Sequence, residues 1–355
     1  MGNAAYCVYY PMASLCNILF LRPQKEFLGM ISRRNIRVKV MQSLYALRTG
    51  NDMTGVVKQA ATAVTSFTPG QALPVGKAQR ILERQFNQTL GLFTYQIWFL
   101  TEVARYAETD ARNRASKHLP TQDDLNVPVK IAGNELLWRI LESGFYKEGL
   151  EKHKPHLLNV GDWIRNIYVK LTETDSYALY NLQPGRDKKA EREILEFIYN
   201  NLMLANEDWV AFTEDLFNNW DDDAEMLQQL VMNYLQKPGV WKMSEMLGAD
   251  KFNFALQLLE TTHERAPQID ELIKPKLRNW DAERLAMLDV ILLQMGVCEF
   301  LYFETIPPKV TINEYIDLAK AYSTNQSGQF INGILDNIRK DLEQENRLHK
   351  VSYEK

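Results

Sequence analysis

The sequence is poor in cysteine, and its glycines and prolines fall mostly between segments with helical periodicity. Three cysteines in 355 residues, Cys7, Cys16 and Cys298, provide no disulfide framework and are typical of a reducing compartment. No segment shows the strict alternation of apolar and polar residues that is typical of a β-strand. We therefore predict an all-α fold and a cytoplasmic protein.

Signatures of catalysis are also lacking. The sequence contains no nucleophile elbow, phosphate-binding loop, dinucleotide fingerprint or paired-histidine zinc helix. His153 and His156 are the only neighbouring histidines, and Pro155 between them indicates a loop that offers at most half a metal site. Cys298 lies in an apolar helical segment, where an inert thiol is the usual outcome. The sequence therefore predicts neither an enzyme nor a cofactor or metal site.

The first 29 residues differ from the rest of the chain. Residues 4–21 are apolar, but Pro11 interrupts them and no basic segment precedes them, as a secretion signal would require. Met30 stands directly before a strong helical pattern. We interpret residues 1–29 as a disordered leader or a wrongly assigned gene start, with a lipid or membrane anchor as the alternative.

The first predicted helix covers residues 32–48 and lies within a basic segment, residues 30–50. Ile36, Val40, Leu44 and Leu47 recur at helical spacing and form one apolar stripe. Ser32 is a suitable N-cap residue, and the turn sequence that begins at Thr49 ends the helix.

Residues 51–225 form a second, longer segment of predicted helices. Long packed helices are expected over 52–110, including a buried one at 90–100, followed by a loop over 112–129. Further helices are predicted over 133–151, 160–171 and 187–206. The acidic residues 221–223 favour the solvated start of a new helix, because acids stabilise a helix N-terminus. A metal site there is the alternative, but the further oxygen ligands that it needs are missing.

Residues 226–347 show the most regular helical pattern. Helices are predicted over 252–277 and 281–303, the second of them central and buried, with Asp281 as its N-cap. A third helix follows a capping box formed by Thr311 and Glu314. The last predicted helix has an apolar stripe, and residues 348–355 are predicted to be a frayed tail. The stripe consists of Phe330, Ile331, Ile334, Leu335 and Ile338.

The charge pattern of the first helix is unusual. Arg33, Arg34, Arg37 and Lys39 lie in its first two turns, and residues 30–51 contain no acid. Cations at a helix N-terminus oppose the helix dipole, so stability alone does not explain this placement. A polyanion contact is the favoured interpretation, although the net charge of −4 is mild and a solvated basic face remains the alternative. Tyr45 lies near the edge of the apolar stripe that carries these arginines, and it could stack on a base or pack against a protein partner.

Four blocks of sequence, in the right order, resemble NusB proteins. Residues 33–37 with 43–45 resemble the opening R-R-x-x-R…L-Y helix, and residues 279–285 with 298–302 resemble the central helix of that family. Residues 306–314 are similar to the P-x-K-V-x-I-N-E signature, and residues 327–336 to the S-x-x-F-V-N-G-V-L-D helix. The intervening 51–225 would then be a large helical insertion, of the kind expected in a Bacteroidetes-like long form.

The resemblance implies a helical bundle of two small subdomains that binds boxA-type RNA together with the ribosomal protein NusE. Such a factor supports antitermination on ribosomal RNA operons, with other Nus factors and RNA polymerase as indirect partners and no role for a membrane. The residues that the resemblance and the basic helix assign to RNA are Arg33, Arg34, Arg37, Lys39, Lys309, Ser327 and Phe330. Tyr45 and Asp289 fall where the family meets NusE.

One position departs from the family pattern. Gln326 stands where the family often has an acid, directly before Ser327. Together with the large insertion and the mild net acidity, it favours an alternative function, a helical protein–protein scaffold of the transcription or ribosome-biogenesis machinery without a direct RNA role.

Overall fold

The computed structural model describes residues 31–50, 68–277 and 285–351, and these ranges contain helices but no strand. Their buried apolar side chains form two clusters. The first is made by residues 90–246, and the second is made largely by residues 31–47 and 254–342. No helix within these ranges is both long enough and apolar enough to cross a membrane. The predicted all-α class is confirmed, whereas the predicted leader, residues 1–29, lies outside the described residues.

Helix α1 (Arg33–Thr49) forms as the sequence predicts. The Ser32 hydroxyl oxygen accepts a hydrogen bond from the backbone N–H of Asn35, and Gly50 ends the helix in the left-handed conformation. The predicted stripe, Ile36 to Leu47, is fully buried in the second cluster. One wide apolar face therefore fixes α1 against the C-terminal helices.

Helix α2 (Lys77–Ala115) connects the two clusters. Its 39 residues make it about 60 Å long at 1.5 Å per residue. Ala78, Leu82 and Phe86 pack in the second cluster, while residues from Leu90 onward pack in the first. The prediction that residues 90–100 are buried is confirmed.

Shorter helices complete the first cluster. They are α3 (Gln122–Leu125), α4 (Glu135–Glu142), α5 (Gly144–His153), α6 (Gly161–Thr172), α7 (Asp175–Leu182), α8 (Lys188–Phe197) with a π-helical turn (Ile198–Leu204), α9 (Glu207–Leu216) and α10 (Trp220–Gln236). The 3₁₀ turns in this part are Lys130–Gly133, Pro155–Leu157, Pro238–Val240 and Met243–Glu245.

The second cluster contains the regular C-terminal helices. They are α11 (Ala249–Glu264), α12 (Ala266–Ile273) with a 3₁₀ turn (Lys274–Leu277), α13 (Met287–Tyr302), α14 (Pro308–Tyr322) and α15 (Ser327–Gln344). Helix α13 is central, because residues 291–300 are buried on every face and α13 contacts α1, α11, α12, α14 and α15. The predicted buried central helix and the apolar stripe of the last helix are confirmed.

Several predicted helix limits between residues 112 and 277 are wrong. The predicted loop 112–129 contains the end of α2 and the short α3, and the helix α7 was not predicted. The predicted helix 133–151 is divided into α4 and α5, because Ser143 has an extended backbone and its hydroxyl caps α5. The predicted helix 252–277 is likewise divided at Arg265, and Pro267 lies in the first turn of α12.

The predicted starts of α13 and α14 also need correction. Residues 285 and 286 are not helical, so α13 begins at Met287, and Asp281 lies outside the described residues. Pro307 is the N-cap of α14 and Pro308 its first residue, because proline suits a first helical turn. Thr311 is therefore buried inside α14, and its hydroxyl donates to Glu299 instead of forming a capping box.

The segment after Arg347 packs against the molecule up to the end of the described residues. The Lys350 ammonium donates to the carbonyl oxygens of Glu299 and Phe303, which lie at the C-terminal end of α13. The backbone N–H of Val351 donates to the carbonyl oxygen of Glu304. Residues 348–351 therefore pack against the end of α13 and are not frayed, whereas residues 352–355 lie outside the described residues.

The predicted boundary between residues 225 and 226 falls inside α10. Leu227, Leu230 and Val231 of this helix pack in the first cluster, whereas α11 is the first later helix in the second cluster. The division into an insertion and a C-terminal remainder stays a prediction.

Candidate nucleic-acid interface

Two arginines at the start of α1 are exposed to solvent. Arg33 and Arg34 occupy its first turn, which contains no acid. The Arg33 guanidinium carbon lies 5.4 Å from the ring centre of Phe254 on α11. The Arg34 Nη1 atom lies 3.9 Å from the Asp317 Oδ2 atom of α14, and both side chains are about half exposed. Both arginines can reach a ligand from this position.

Arg37 lies one turn further along α1 and is buried, which corrects the expectation that it contacts RNA. Its side chain is 2% exposed, and its Nε atom donates to Glu299 Oε1 at 2.7 Å. Its Nη1 atom donates to Glu314 at 3.2 Å. Burial disfavours the charge, but Glu299 more than compensates and raises the pKa of Arg37 above its ordinary value. Arg37 therefore stabilises the core.

Glu299 is the centre of this buried polar cluster. It lies in the apolar helix α13 and also accepts hydrogen bonds from the hydroxyls of Thr311 and Tyr315, each at 2.9 Å. Burial, followed by the nearby carboxylate, raises the pKa of Tyr315 well above its ordinary value, so this hydroxyl keeps its proton. The cluster fixes α1 and α14 against α13.

Lys39 is also buried, and the expectation that it contacts RNA is corrected in the same way. Its ammonium lies 2.9 Å from the carboxylate of Asp223, and the two side chains are 3% and 0% exposed. The same carboxylate oxygen accepts from the Thr89 hydroxyl and the Asn219 amide, each at 2.7 Å. Asp223 is therefore not part of a solvated helix start, because it joins α1, α2 and α10 inside the protein.

A third exposed cation, Lys309, lies in the first turn of α14. It shares an exposed helix face with Asp317, two turns and about 12 Å further along. Next to Arg33, the Lys251 ammonium donates to the carbonyl oxygen of Ile31 at 2.7 Å. Burial and the positive charge of Arg33 lower the pKa of Lys251. Cationic groups thus extend from α1 onto α11 and α14.

Ser327 and Phe330 do not reach the surface, so the expectation of RNA contacts at these positions is corrected. Phe330 is 6% exposed and packs in the second cluster. Ser327 is 2% exposed, and its hydroxyl donates to Asp289 at 2.8 Å and accepts from the backbone N–H of Thr324. Ser327 orders the turn before α15, while Gln326 beside it is exposed.

The two residues expected to meet a protein partner differ in exposure. Tyr45 is half-buried against the second cluster and keeps some accessible surface. Asp289 lies in the first turn of α13 and is 6% exposed, with one carboxylate oxygen bonded to Ser327. Asp289 therefore acts on the turn before α15 and offers little surface to a partner.

The acids that neutralise Arg37 and Lys39, Glu299 and Asp223, were not predicted from the sequence. Glu299 follows residues 290–298, nine residues of α13 among which only Gln294 has a polar side chain, and a carboxylate in such a segment signals a buried cationic partner. Asp223 lies four residues before the buried Leu227, so helical spacing places it on the buried face of α10, whereas Asp221 lies on the exposed face. Phe254 beneath Arg33 carries no local signal at all.

The described part of the chain offers little for metal or thiol chemistry. It brings together no group of three histidine, cysteine, aspartate or glutamate side chains that could hold a metal ion. Cys298 is buried in α13, and burial raises the pKa of its thiol to about 12, so it stays protonated at neutral pH. The arrangement at α1 is suited to binding an anionic chain.

Comparisons with known proteins find a family match that includes α10 to α14 and most of α15. The NusB family model matches residues 210–340. The transcription antitermination protein NusB of Thermodesulfovibrio yellowstonii is 35% identical over 155 residues, which cover 43% of this chain and 91% of that protein. The chain belongs to the NusB family. No solved structure matches the chain.

Two other NusB relatives show the same pattern of coverage. The transcription antitermination protein NusB of Methylacidiphilum infernorum is 35% identical over 130 residues, or 32% of this chain and 89% of that protein. The one of Salinibacter ruber is 43% identical over 99 residues, or 28% of this chain and 62% of that protein. Each alignment covers less than half of this chain, so the chain is a long member of the NusB family.

Proposed function

We propose that this NusB family member is a non-catalytic, RNA-binding transcription antitermination factor that contacts RNA with the first turn of α1. The observation that supports this proposal is the pair of exposed arginines, Arg33 and Arg34, on a turn without any acid. Cations there oppose the helix dipole, and an RNA phosphate would relieve that cost. The names of the relatives support the antitermination role.

The chemistry of the site favours a single-stranded RNA of the boxA type. Arginine side chains can pair with phosphates and can also stack on the flat faces of unpaired bases. Arg33 already lies over an aromatic ring in this way, that of Phe254. Lys309 extends the cationic surface along α14. With Arg37 and Lys39 buried in ion pairs, the proposed contact is carried by fewer cations than the sequence suggests, and its affinity should depend moderately on salt.

We also propose that the protein acts with the ribosomal protein NusE, and through it with other Nus factors and RNA polymerase in the cytoplasm. Half-exposed Tyr45 is the residue of α1 that supports such a contact. Replacing Tyr45 with Ala should weaken co-purification with NusE and leave RNA binding by the isolated protein unchanged.

The RNA contact is tested by replacing Arg33 and Arg34 with Ala. Binding of a fluorescent boxA-type single-stranded RNA oligomer should weaken, and the slope of log affinity against log salt should fall by about 1.4, or about 0.7 per lost phosphate contact. The matched control replaces Lys188 and Lys189, two exposed cations of α8, with Ala. An equal loss in both double variants, or no loss in either, would contradict the proposal.

The burial of Arg37 and Lys39 favours the alternative function, a protein scaffold without a direct RNA role. A scaffold would retain NusE in the Arg33→Ala/Arg34→Ala variant and would show the same weak RNA binding before and after the substitution. The same binding experiment therefore separates the two functions.

A further inference from the structure

Arg34 has carboxylates on two sides. Asp317 of α14 lies 3.9 Å from its guanidinium on one side. On the other side, Arg34 lines a cleft of about 600 Å³ together with Asp221, Asp222 and Glu225. These three acids belong to the first two turns of α10, within the long segment that separates α1 from the C-terminal helices.

Asp222 holds this acidic turn close to α1. Its carboxylate accepts hydrogen bonds from the Gln42 amide and the Tyr322 hydroxyl, each at 2.6 Å. Its carbonyl oxygen accepts from the Asn35 amide at 3.1 Å. Because these bonds join α10 to both α1 and α14, the acids keep a fixed position beside Arg34.

Asp221 and Glu225 are the exposed members of the group. They are four residues apart, so they lie on the same face of α10. Neither carboxylate forms an ion pair with a residue that the structure describes. Their negative charges therefore act on the space in front of Arg34, over a screening distance of about 10 Å at 0.1 M salt.

We propose that Asp221 and Glu225 form an acidic border that confines an RNA strand to the Arg33 side of α1. This inference rests on the proposed RNA contact of Arg33 and Arg34. It adds what limits the affinity of that contact and the path of the RNA strand. An RNA phosphate that approaches Arg34 from the α10 side is repelled by both carboxylates. Asp317 repels a phosphate on the α14 side in the same way, so the strand must leave Arg34 toward Arg33 and Lys251 of α11. The acidic start of α10 thus determines which strand path is allowed and lowers the affinity for RNA in general.

The border is tested with the double variant Asp221→Asn/Glu225→Gln in the full chain. At about 50 mM salt this variant should bind the boxA-type single-stranded oligomer about three- to tenfold more tightly than the unchanged protein, and the difference should shrink near 300 mM salt. The matched control is Glu214→Gln/Asp215→Asn, which removes two exposed acids of α9 that do not line the cleft. Thermal unfolding of both variants checks that the fold is retained.

The outcomes distinguish the border from the proposed function. Tighter binding by the cleft variant alone supports the border. If the unchanged protein binds RNA through Arg33 and Arg34 but the cleft variant binds equally or more weakly, the border is wrong and the proposed function stands. An equal gain in both variants would show a general effect of net charge and would also overturn the border. If neither the unchanged protein nor the cleft variant binds RNA, both proposals fail.

Discussion

Residues at the start of α1 show how differently neighbouring cations behave in one helix. Arg33 and Arg37 are one turn apart and both lie near the ring of Phe254, yet Arg33 is exposed and Arg37 is buried against Glu299. The difference arises because the second turn of α1 is buried in the helical bundle, where it faces α13 and α14. A basic residue in this helix is therefore exposed or buried according to its depth.

Replacing Arg37 with Ala should lower the free energy of unfolding by about 3 to 5 kcal/mol, because Glu299 would keep its buried charge without a cation. Arg33→Ala should lower it by less than about 1 kcal/mol, since only an exposed cation–π contact is lost. Urea unfolding followed by circular dichroism measures both values. Similar small losses in the two variants would argue against the buried ion pair.

His153 should make the stability of the protein depend on pH. Burial, followed by the charge of Lys152, lowers its pKa to about 4, below the unfolded value of about 6.5. Between these values the unfolded chain binds more protons than the folded protein, so stability should fall as pH decreases from about 6.5 to about 4.

Because His153 is partly exposed, we expect it to contribute about 1 to 2 kcal/mol to this loss. The His153→Gln variant should lose correspondingly less stability over the same pH range, as measured by urea unfolding at several pH values. His156→Gln, at an exposed histidine, is the control and should follow the unchanged protein. Identical pH profiles for all three proteins would contradict the prediction.

At the scale of helices, packing depends on close approach as well as on apolar stripes. The stripe of α15 is visible in the sequence, but the partner surface on α13 includes Gly296, which looks like a poor helix residue. A Cβ atom at this position would lie 2.9 Å from both Cδ atoms of Leu335, so glycine lets α15 approach α13 closely. The glycine is thus required by the contact between the two helices.

Gly296→Ala should therefore lower the free energy of unfolding by about 1 to 3 kcal/mol through overpacking. Gly333→Ala is the matched control on α15, because that glycine is exposed and a Cβ atom there meets no other atom within 4 Å. The control should raise stability by about 0.5 to 1 kcal/mol, since alanine favours the helix. Chemical unfolding of both variants tests the contrast, and a stabilising Gly296→Ala would show that the helices are less tightly packed.

For the whole molecule, the junction between the two apolar clusters is polar. Lys39 of α1 and Asp223 of α10 pair at 2.9 Å in a position that excludes water, and Thr89 of α2 joins them. A buried ion pair adds less net stability than it adds specificity of arrangement, because both charges lose their hydration. The pair fixes the position of α10 relative to α1.

A double-mutant cycle tests this junction. Lys39→Ala and Asp223→Ala should each lower the free energy of unfolding by about 3 to 5 kcal/mol, because each leaves a buried charge without its partner. The double variant should lose clearly less than the sum of the two. Guanidinium unfolding followed by tryptophan fluorescence measures all three variants. Additive losses would mean that the two side chains do not interact.

Much of this protein follows from local sequence. The all-α class, the ends of α1, the buried α13 and the stripe of α15 are set by periodicity and capping residues, which act over a few neighbouring positions. The exposed Arg33 and Arg34 could be identified in the same way, because no acid stands near them in the chain. The resemblance to NusB proteins also rests on short blocks of local sequence, which can be recognised without the structure.

Only the tertiary structure decided which cations are free to bind. Arg37 and Glu299 are 262 positions apart, and Lys39 and Asp223 are 184 apart, so no local pattern reveals that these charges neutralise each other. Tertiary packing likewise buries Ser327 and Phe330 inside the molecule. It also brings the acids of α10 beside Arg34. The physical reason is that burial and ion pairing depend on which helices meet, and that is determined by the packing of the whole chain.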